Sequence, residues 1–212
     1  MSGDDTVIQD VPSAIDLREM ADARKWALSA ERRPGRNEML NRIVDEAAAS
    51  APYTPRILEL GSGPGFLAQR VFRRLPTARY WALDFSAAMH ALARKRLAAH
   101  ANQATFLVRN LKSDDWPSGL QPFDLVLTNQ AVHELRHKSY TEGLHRQVRG
   151  LLKPTGTYLM SDHFSDPGGL PNPDLYMTMA EQKEALSAAG FASVERLAVE
   201  GSLSLYRART AP

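Results

Sequence analysis

The sequence predicts an α/β fold in which a doubly wound, mostly parallel sheet is closed by a C-terminal hairpin. Apolar strand patterns alternate with helical patterns along most of the 212 residues, which is the arrangement of parallel βαβ units. A turn with three glycines, residues 61–65, joins the first apolar run directly to a helical run. The last two apolar runs are separated only by Glu200-Gly201, and so short a separation indicates antiparallel strands in a hairpin.

Hydrophobic periodicity and turn residues define the individual elements. Two helical segments come first, separated by a turn signal at 32–36, and the second has apolar residues at the i, i+3, i+4, i+7 spacing of one helix face. Residues 153–156 predict a turn, and Thr178 with Glu181 predicts a capping box that opens a last helix ending at Gly190. The predicted strands are 55–60, 79–83, 104–108, 123–128, 157–161, 192–199 and 202–209, and the predicted helices between them are 64–74, 86–99 and 138–152.

An N-terminal segment and one irregular loop lie outside this alternating pattern. We expect residues 1–50 to form a helical cap and residues 51–212 to form the core domain. A stretch rich in proline and glycine, 163–177, interrupts that core and is expected to be a loop on the substrate side. Residues 1–13 are polar, and we expect them to fray.

Composition excludes several classes of protein. Hydrophobic residues make up 43% and charged residues 24% of the chain, which is typical of a single globular domain and not of a disordered chain. The net charge is only +2 and the basic residues are scattered, so nucleic acid is not an expected partner. The absence of cysteine excludes disulfides, thiolate zinc ligands and a thiol nucleophile. With no signal sequence and no apolar stretch of about 20 residues, we expect a soluble cytoplasmic protein that does not contact a membrane.

The glycine-rich turn and a later acid indicate a site for a nucleoside cofactor. Residues 57–60 are apolar apart from Glu59, and they run directly into the alternating glycines of the turn. Asp84 ends the second apolar run, where a carboxylate can accept hydrogen bonds from both ribose hydroxyls. A dinucleotide fingerprint would need glycine at position 66, which is Phe66 in this chain. The spacing therefore disfavours a dinucleotide cofactor.

The pattern E-x-G-x-G-x-G at 59–65 resembles motif I of the class I S-adenosylmethionine (SAM) dependent methyltransferases. The resemblance extends over about 55–209 and includes the acid in L-D-F-S-x-x-M at 83–89, the strand F-D-L-V-L-T-N at 123–129 and L-L-K-P-x-G at 151–156. It implies the class I methyltransferase fold, a seven-stranded sheet whose seventh strand is antiparallel. It also implies an enzyme that uses SAM as its cofactor.

The resemblance assigns most of the cofactor contacts. It places Glu59 near the methionine moiety, Asp84 at the ribose, and Asn129 near the sulfonium or the methionine end. Asp84 and Ser86 also suit the N-cap of a helix, which is the structural alternative for the acid. Asn110 replaces the aspartate that commonly binds the adenine amine in this family. The full set of expected cofactor-binding residues is Glu59, Gly61, Ser62, Gly63, Gly65, Asp84, Phe85, Met89, Asn110, Leu111 and Asn129.

Residues 133–137 spell H-E-x-x-H, which on a helix would place two zinc ligands on one face with a glutamate as base. The charged Arg136 and Lys138 and the lack of a spaced third ligand disfavour this zinc hydrolase, and we expect no metal. His133 instead suggests a neutral general base beside the transferred methyl group, and Asp162 and His163 form a second candidate catalytic pair. The alternative for His133 is a histidine that only packs beside the site. The helical residues His90, His100 and His145 are expected to be solvated.

The acceptor is less well defined than the donor. The cap and the 163–177 loop carry Trp26, Phe164, Leu170, Tyr176 and Met177, which is enough apolar surface for a small acceptor. No N-P-P-[YF] motif follows the fourth strand, which disfavours a base or a glutamine amide as acceptor. Arg33 and Arg36 suit a carboxylate but are more often surface residues. We expect O- or N-methylation of a small molecule, with C-methylation open, by a monomer or homodimer. A cofactor-binding protein without activity is a further alternative.

Overall fold

Seven strands form one sheet in the computed structural model, which describes residues 8–211. The strands are β1 Arg56–Leu60, β2 Arg79–Asp84, β3 Ala104–Val108, β4 Phe123–Asn129, β5 Leu152–His163, β6 Ser193–Glu200 and β7 Leu203–Arg209. The α-helices are α1 Met20–Ala30, α2 Arg36–Ser50, α3 Phe66–Arg74, α4 Ala87–Arg96, α5 Thr141–Leu151 and α6 Met179–Ala188. Within the described range, no helix combines the length and the apolar character needed to cross a bilayer.

The strand order β3-β2-β1-β4-β5-β7-β6 confirms the predicted fold class. Strands β1 to β5 are parallel to one another, whereas β7 is antiparallel to both β5 and β6. The chain moves outward from β1 to β3 and then returns to place β4 on the other side of β1. This reversal opens a crevice at the carboxyl ends of β1 and β4, which is where open α/β sheets bind ligands.

Helices cover both faces of the sheet because successive residues of the central strands point to opposite sides. In β1, Ile57 packs with the buried face of α2 and with α3, whereas Leu58 packs with α5 and α6 on the other face. The predicted apolar face of α2 is buried, so this helix of the 1–50 segment is part of the main core. Helix α1 instead packs on α4, next to the carboxyl edge of the sheet.

Local structure departs from the sequence prediction at three places. The predicted turn at 153–156 is a bulge inside β5, because Phe123 pairs with Leu152 but Leu125 already pairs with Thr157. The predicted helix at 138–152 starts with a 3₁₀ turn, Lys138–Tyr140, and becomes α-helical only at Thr141. The predicted frayed terminus, 1–13, is partly ordered, since the Val11 N–H donates to the Arg136 carbonyl at 2.8 Å. Residues 1–7 of that segment lie outside the described residues.

The predicted capping box opens α6. The Thr178 hydroxyl accepts from the Glu181 N–H at 3.1 Å, and the Glu181 carboxylate accepts from the Thr178 N–H at 2.7 Å. Both hydrogen bonds satisfy N–H groups that a helix leaves free at its first turn. Gly190, with φ of +90°, follows the end of this helix as predicted.

We expect Thr178→Ala to lower the free energy of unfolding by about 1 kcal/mol, because one N–H of the first turn loses its acceptor. For a domain of this size that corresponds to a melting temperature roughly 2–4 °C lower. Thr178→Ser is the matched control, since it keeps the hydroxyl and should melt within about 1 °C of the wild type. Differential scanning calorimetry measures both, and an unchanged melting temperature for the alanine variant would contradict the capping role.

Candidate active site

The glycine-rich turn lets the backbone pass closely over the carboxyl edge of the sheet. Gly61 has φ of +64°, and a Cβ added there would lie 2.2 Å from the Cβ of Ala131, which follows β4. Any side chain at this position would therefore push β1 and the β4 end apart. Gly63 has φ of +52° and faces open space, so the turn presents bare backbone to the crevice.

Asp84 joins this turn to the end of β2. Its Oδ2 accepts from the Gly63 N–H at 2.7 Å, and its Oδ1 accepts from the Ser86 N–H at 2.9 Å. Burial raises the pKa of Asp84, which is 5% exposed. The N-cap of α4 is Ser86, whose hydroxyl accepts from the Met89 N–H at 3.0 Å. Asp84 itself is thus not the cap, and each of its oxygens keeps a lone pair for a further donor.

One pocket occupies the crevice around these residues. It encloses about 810 Å³, open solvent at its mouth included, and it lies at the carboxyl ends of β1, β2 and β4. Ten of the eleven expected cofactor-binding residues line it: Glu59, Gly61, Ser62, Gly63, Asp84, Phe85, Met89, Asn110, Leu111 and Asn129. The exception is Gly65, which is not among the lining residues and faces α4, where an added Cβ would lie 3.3 Å from the side chains of Ala93 and Leu97.

Two buried ionisable side chains of opposite type, Glu59 and Arg36, line the pocket. Burial raises the pKa of Glu59 to about 8, although its carboxylate accepts from the Tyr80 hydroxyl at 2.9 Å. Arg36 is 5% exposed and lines the same pocket, and burial lowers its pKa to about 10. Its Nη1 is buried without a hydrogen-bond partner. The expectation that Arg36 is a surface residue was therefore wrong, and its guanidinium can receive an anion.

A histidine and two carboxylates lie next to the pocket. The Nδ1 of His133 is 2.5 Å from Oδ1 of the buried Asp162, at the end of β5. Its Nε2 is 3.4 Å from Oε1 of Glu134, which lines the pocket. Burial alone would lower the pKa of His133, but Asp162 and Glu134 outweigh it and raise that pKa to about 10. The predicted neutral imidazole is therefore wrong, because the sequence does not show that two carboxylates flank the ring.

The second predicted histidine has the opposite character. Burial lowers the pKa of His163 to about 4 and outweighs the neighbouring Asp162. The rings of His133, His163 and Tyr176 form a cluster with centroids 5.4 to 5.8 Å apart. None of the three predicted catalytic residues, His133, Asp162 and His163, lines the pocket itself. They lie behind Gln130 and Glu134, which do.

The H-E-x-x-H segment does not form a helix that could hold zinc. His133–Leu135 is a single 3₁₀ turn, Arg136 has φ of +68°, and His137 is extended. The two histidines consequently point apart, with His137 against Tyr140 and His133 on Asp162. Among residues 8–211, no cluster of three histidine, aspartate or glutamate side chains is arranged to hold a metal ion.

Two histidines predicted to be solvated are buried in the helical layers. His90 on α4 lies 3.3 Å from the Ser62 hydroxyl, and burial lowers its pKa to about 4. His145 on α5 lies 3.4 Å from the Tyr158 hydroxyl, and burial lowers its pKa to about 3. Both predictions were wrong because each helix presents its histidine to the sheet. The burial keeps both rings neutral at ordinary pH.

Five further residues with a distinct property line the pocket outside the expected cofactor set; the sequence analysis had named Trp26 and Arg36 only for the acceptor or a carboxylate, and Glu134 only for the zinc alternative. Gln130 and Glu134 adjoin residues that were named, and Gln130 has φ of +58°, an uncommon conformation for a residue other than glycine. The other three come from the N-terminal segment: Leu17, Trp26 and Arg36. Their distance from the glycine-rich turn along the chain leaves no spacing signal, so only the packing of α1 and α2 brings them to the pocket.

Comparison with known proteins agrees with this geometry. Residues 57–156 match a family described as a methyltransferase domain. The chain is 28% identical over 177 residues to the polyketide synthase-nonribosomal peptide synthetase ACE1 of Pyricularia oryzae, a match that covers 71% of this chain and 4% of that protein. The chain thus spans only a small part of that relative.

Solved structures share the fold at low sequence identity. An O-methyltransferase family protein from Burkholderia thailandensis superposes with a TM-score of 0.74 and 20% identity, covering 93% of this chain and 61% of the other. Phosphoethanolamine N-methyltransferase 2 of Haemonchus contortus, in complex with SAM, superposes with a TM-score of 0.74 and 14% identity, covering 94% and 61%.

The fold and the pocket define an α/β protein that holds a nucleoside cofactor over the carboxyl edge of a parallel sheet. Residues 57–156 are a methyltransferase domain, and the chain has the fold of the class I SAM-dependent methyltransferases, whose cofactor is SAM.

We expect His133 to stay doubly protonated at neutral pH, because the two carboxylates stabilise the imidazolium. NMR titration of its ring nitrogens should give a midpoint far above the ordinary value of about 6.5. Asp162→Asn should lower this midpoint by about two or more pH units, whereas Glu134→Gln should lower it less, since Glu134 is more distant. A midpoint near the ordinary value in the wild type would contradict the paired geometry.

Proposed function

We propose that this chain transfers the methyl group of SAM to an oxygen or nitrogen atom of a small-molecule acceptor. The observation that carries the proposal is the distribution of charge in the pocket. Asp84, Glu59 and Arg36 are all buried and line the same pocket. SAM has a ribose diol at its centre and a zwitterionic amino acid at one end, so we assign Asp84 to its nucleoside part and the pair Glu59 and Arg36 to its amino acid part.

The nucleoside end of the pocket fits the base and the sugar. Asp84 is already held by two backbone N–H groups, and its remaining lone pairs can accept the two ribose hydroxyls. Phe85 and Met89 would flank the adenine, and Asn110 and Leu111 close that side. The side chain of Asn110 already accepts from the Lys112 N–H at 3.1 Å, which leaves its amide hydrogens for an acceptor on the base.

The amino acid end fits a zwitterion. Arg36 has a buried Nη1 without a partner, and a carboxylate would satisfy it. Glu59 is a buried carboxyl with a single hydrogen bond from Tyr80, so it can pair with an ammonium group. Burying each charge alone is unfavourable, and a ligand that carries both complementary charges reverses that cost.

The chain contributes alignment and a paired histidine to the reaction. When bound, SAM supplies a methyl group that its sulfonium has already activated, so that orienting the acceptor and excluding water are the main tasks of the protein. Asp162 orients His133 through Nδ1 and leaves Nε2 toward Glu134 at the pocket wall. Because His133 is doubly protonated at neutral pH, it cannot take the proton of the acceptor. We propose instead that its imidazolium holds the ionised Glu134 carboxylate at the pocket wall, where that carboxylate orients the acceptor.

The cap and the loop are the proposed acceptor-side elements. Leu17 and Trp26 line the pocket from the 1–50 segment, and Tyr176 of the 163–177 loop packs on His133. Phe164 and Met177 of that loop are buried, which leaves Tyr176 as the aromatic side chain nearest the paired histidine.

A screen of labelled SAM against small molecules identifies the acceptor. Label found on a carbon atom of the product would mean C-methylation instead of O- or N-methylation. Binding of SAM without transfer to any acceptor would favour a protein without activity.

We expect Asp84→Ala to weaken binding of S-adenosylhomocysteine by roughly 10–150-fold, because charge-assisted hydrogen bonds to the ribose contribute about 1.5–3 kcal/mol. Isothermal titration calorimetry measures the affinity. Asp114→Ala, an exposed acid far from the turn, is the matched control and should bind like the wild type. A folded Asp84 variant with wild-type affinity would reject the proposed cofactor site.

Cofactor affinity should also depend on pH through Glu59. Its pKa of about 8 means that most of the carboxyl is protonated below pH 8, whereas pairing with an ammonium group requires the ionised form. Affinity for S-adenosylhomocysteine should therefore rise by up to about tenfold per pH unit below 8 and level off above it. Glu59→Gln should abolish this slope. A slope that persists in the glutamine variant would mean that another group is responsible.

A further inference from the structure

A chain of hydrogen bonds runs from the C-terminal hairpin to the pocket. It starts at Ser202 in the turn between β6 and β7, continues through His163 at the end of β5, and reaches Gln130 and Asn129 at the end of β4. Asn129 and Gln130 line the pocket, whereas His163 and Ser202 do not. The chain thus links the hairpin turn, which lies beside the carboxyl end of β5, to two pocket side chains.

The donors and acceptors allow one tautomer of His163. The Nε2 of Gln130 lies 2.7 Å from the Nε2 of His163. An amide nitrogen can only donate, so the ring nitrogen must accept, and the ring proton is on Nδ1. That Nδ1–H donates to the Ser202 hydroxyl at 2.8 Å. A second ring proton, on Nε2, would point at the amide hydrogens of Gln130, so this chain of hydrogen bonds requires a neutral His163 ring.

This tautomer sets the orientation of two amides. Because the Gln130 NH₂ donates to His163, its Oε1 faces Asn129, whose Nδ2 lies at the long distance of 3.5 Å. The carbonyl oxygen Oδ1 of Asn129 then points away from Gln130. That oxygen is buried without any hydrogen-bond partner, and the residue is 7% exposed. A buried acceptor without a donor is unfavourable unless a ligand supplies one.

Strand register puts Asn129 on the same face of the sheet as Glu59. Glu59 on β1 pairs with Leu127 on β4, so the side chains of Leu127 and Asn129 lie on the same face as Glu59, with Asn129 two residues further toward the carboxyl edge. Asn129, Glu59 and Arg36 all line the pocket. Two oxygen acceptors on one face are suited to a group with several N–H donors, such as an ammonium.

We propose that His163 and Ser202 are positioning residues that hold Gln130, and through it the Asn129 carbonyl oxygen, as an acceptor for the ammonium group of the cofactor. This inference rests on the proposed cofactor role of the pocket. It replaces the role of His163 as a catalytic candidate, since the ring nitrogen nearest the pocket accepts from Gln130.

Calorimetric titration with S-adenosylhomocysteine and with its analogue lacking the amino group tests the proposal. The wild type should prefer the amino compound. His163→Leu removes the acceptor for the Gln130 amide, so this preference should fall by about tenfold, the size of one hydrogen bond to a charged group. His163→Gln can offer an amide oxygen to Gln130 and should keep the preference within about threefold of the wild type.

The outcomes separate this inference from the proposed function. If the wild type binds neither compound, the proposed cofactor site is wrong. If the wild type prefers the amino compound and His163→Leu keeps that full preference, the cofactor site stands and the positioning role is overturned. Melting temperatures accompany each titration, so that a loss of affinity through unfolding is recognised.

The tautomer of His163 also provides a spectroscopic test, whose main measurement is made on the wild-type protein. The ¹⁵N shifts of the His163 ring should show the proton on Nδ1 in the wild type at neutral pH. Ser202→Ala, which removes the acceptor of that proton, should shift the ring toward the other tautomer, and Ser202→Thr should retain the first. A wild-type ring protonated on Nε2 would overturn the proposal.

Discussion

The hydrogen bond between the Gly63 N–H and the Asp84 carboxylate, 2.7 Å long, is the contact on which the cofactor crevice depends. It ties the turn after β1 to the end of β2. The same carboxylate orients the Ser86 N–H, and Ser86 in turn caps α4 and donates to the Leu17 carbonyl. A single buried acid therefore sets the positions of the glycine turn, a helix and the N-terminal segment around one pocket.

Burial and ionic partners explain why Glu59 and Arg36 differ from His133 in protonation. Burial raises the pKa of Glu59 and lowers the pKa of Arg36, and in each case it favours the neutral form because neither side chain has a direct ionic partner. His133 is buried as well, but Asp162 at 2.5 Å reverses the effect of burial and favours the charged ring. Desolvation dominates where a ligand charge is expected, and Coulomb attraction dominates where the protein supplies the partner.

Local signals predicted most of the fold. The Thr178 capping box, the end of α6 at Gly190 and the C-terminal hairpin depend on residues a few positions apart, so composition and spacing were sufficient. The bulge at 153–156 was not predictable, because it arises from the pairing of β5 with β4 across the sheet. Residues 133–137 show the reverse case, in which a local motif, already disfavoured by its flanking charges, has no helix to support it.

The sequence by itself determined the glycine-rich turn, the acid after β2 and hence the methyltransferase domain, because these features occupy fixed spacings within one βαβ unit. Only the tertiary structure decided which distant residues complete the site. Arg36 reaches the pocket from α2, Asp162 reaches His133 from β5, and Ser202 reaches Gln130 through His163. These contacts join elements separated by many residues, and their protonation states follow from burial and partners that arise only when the chain packs.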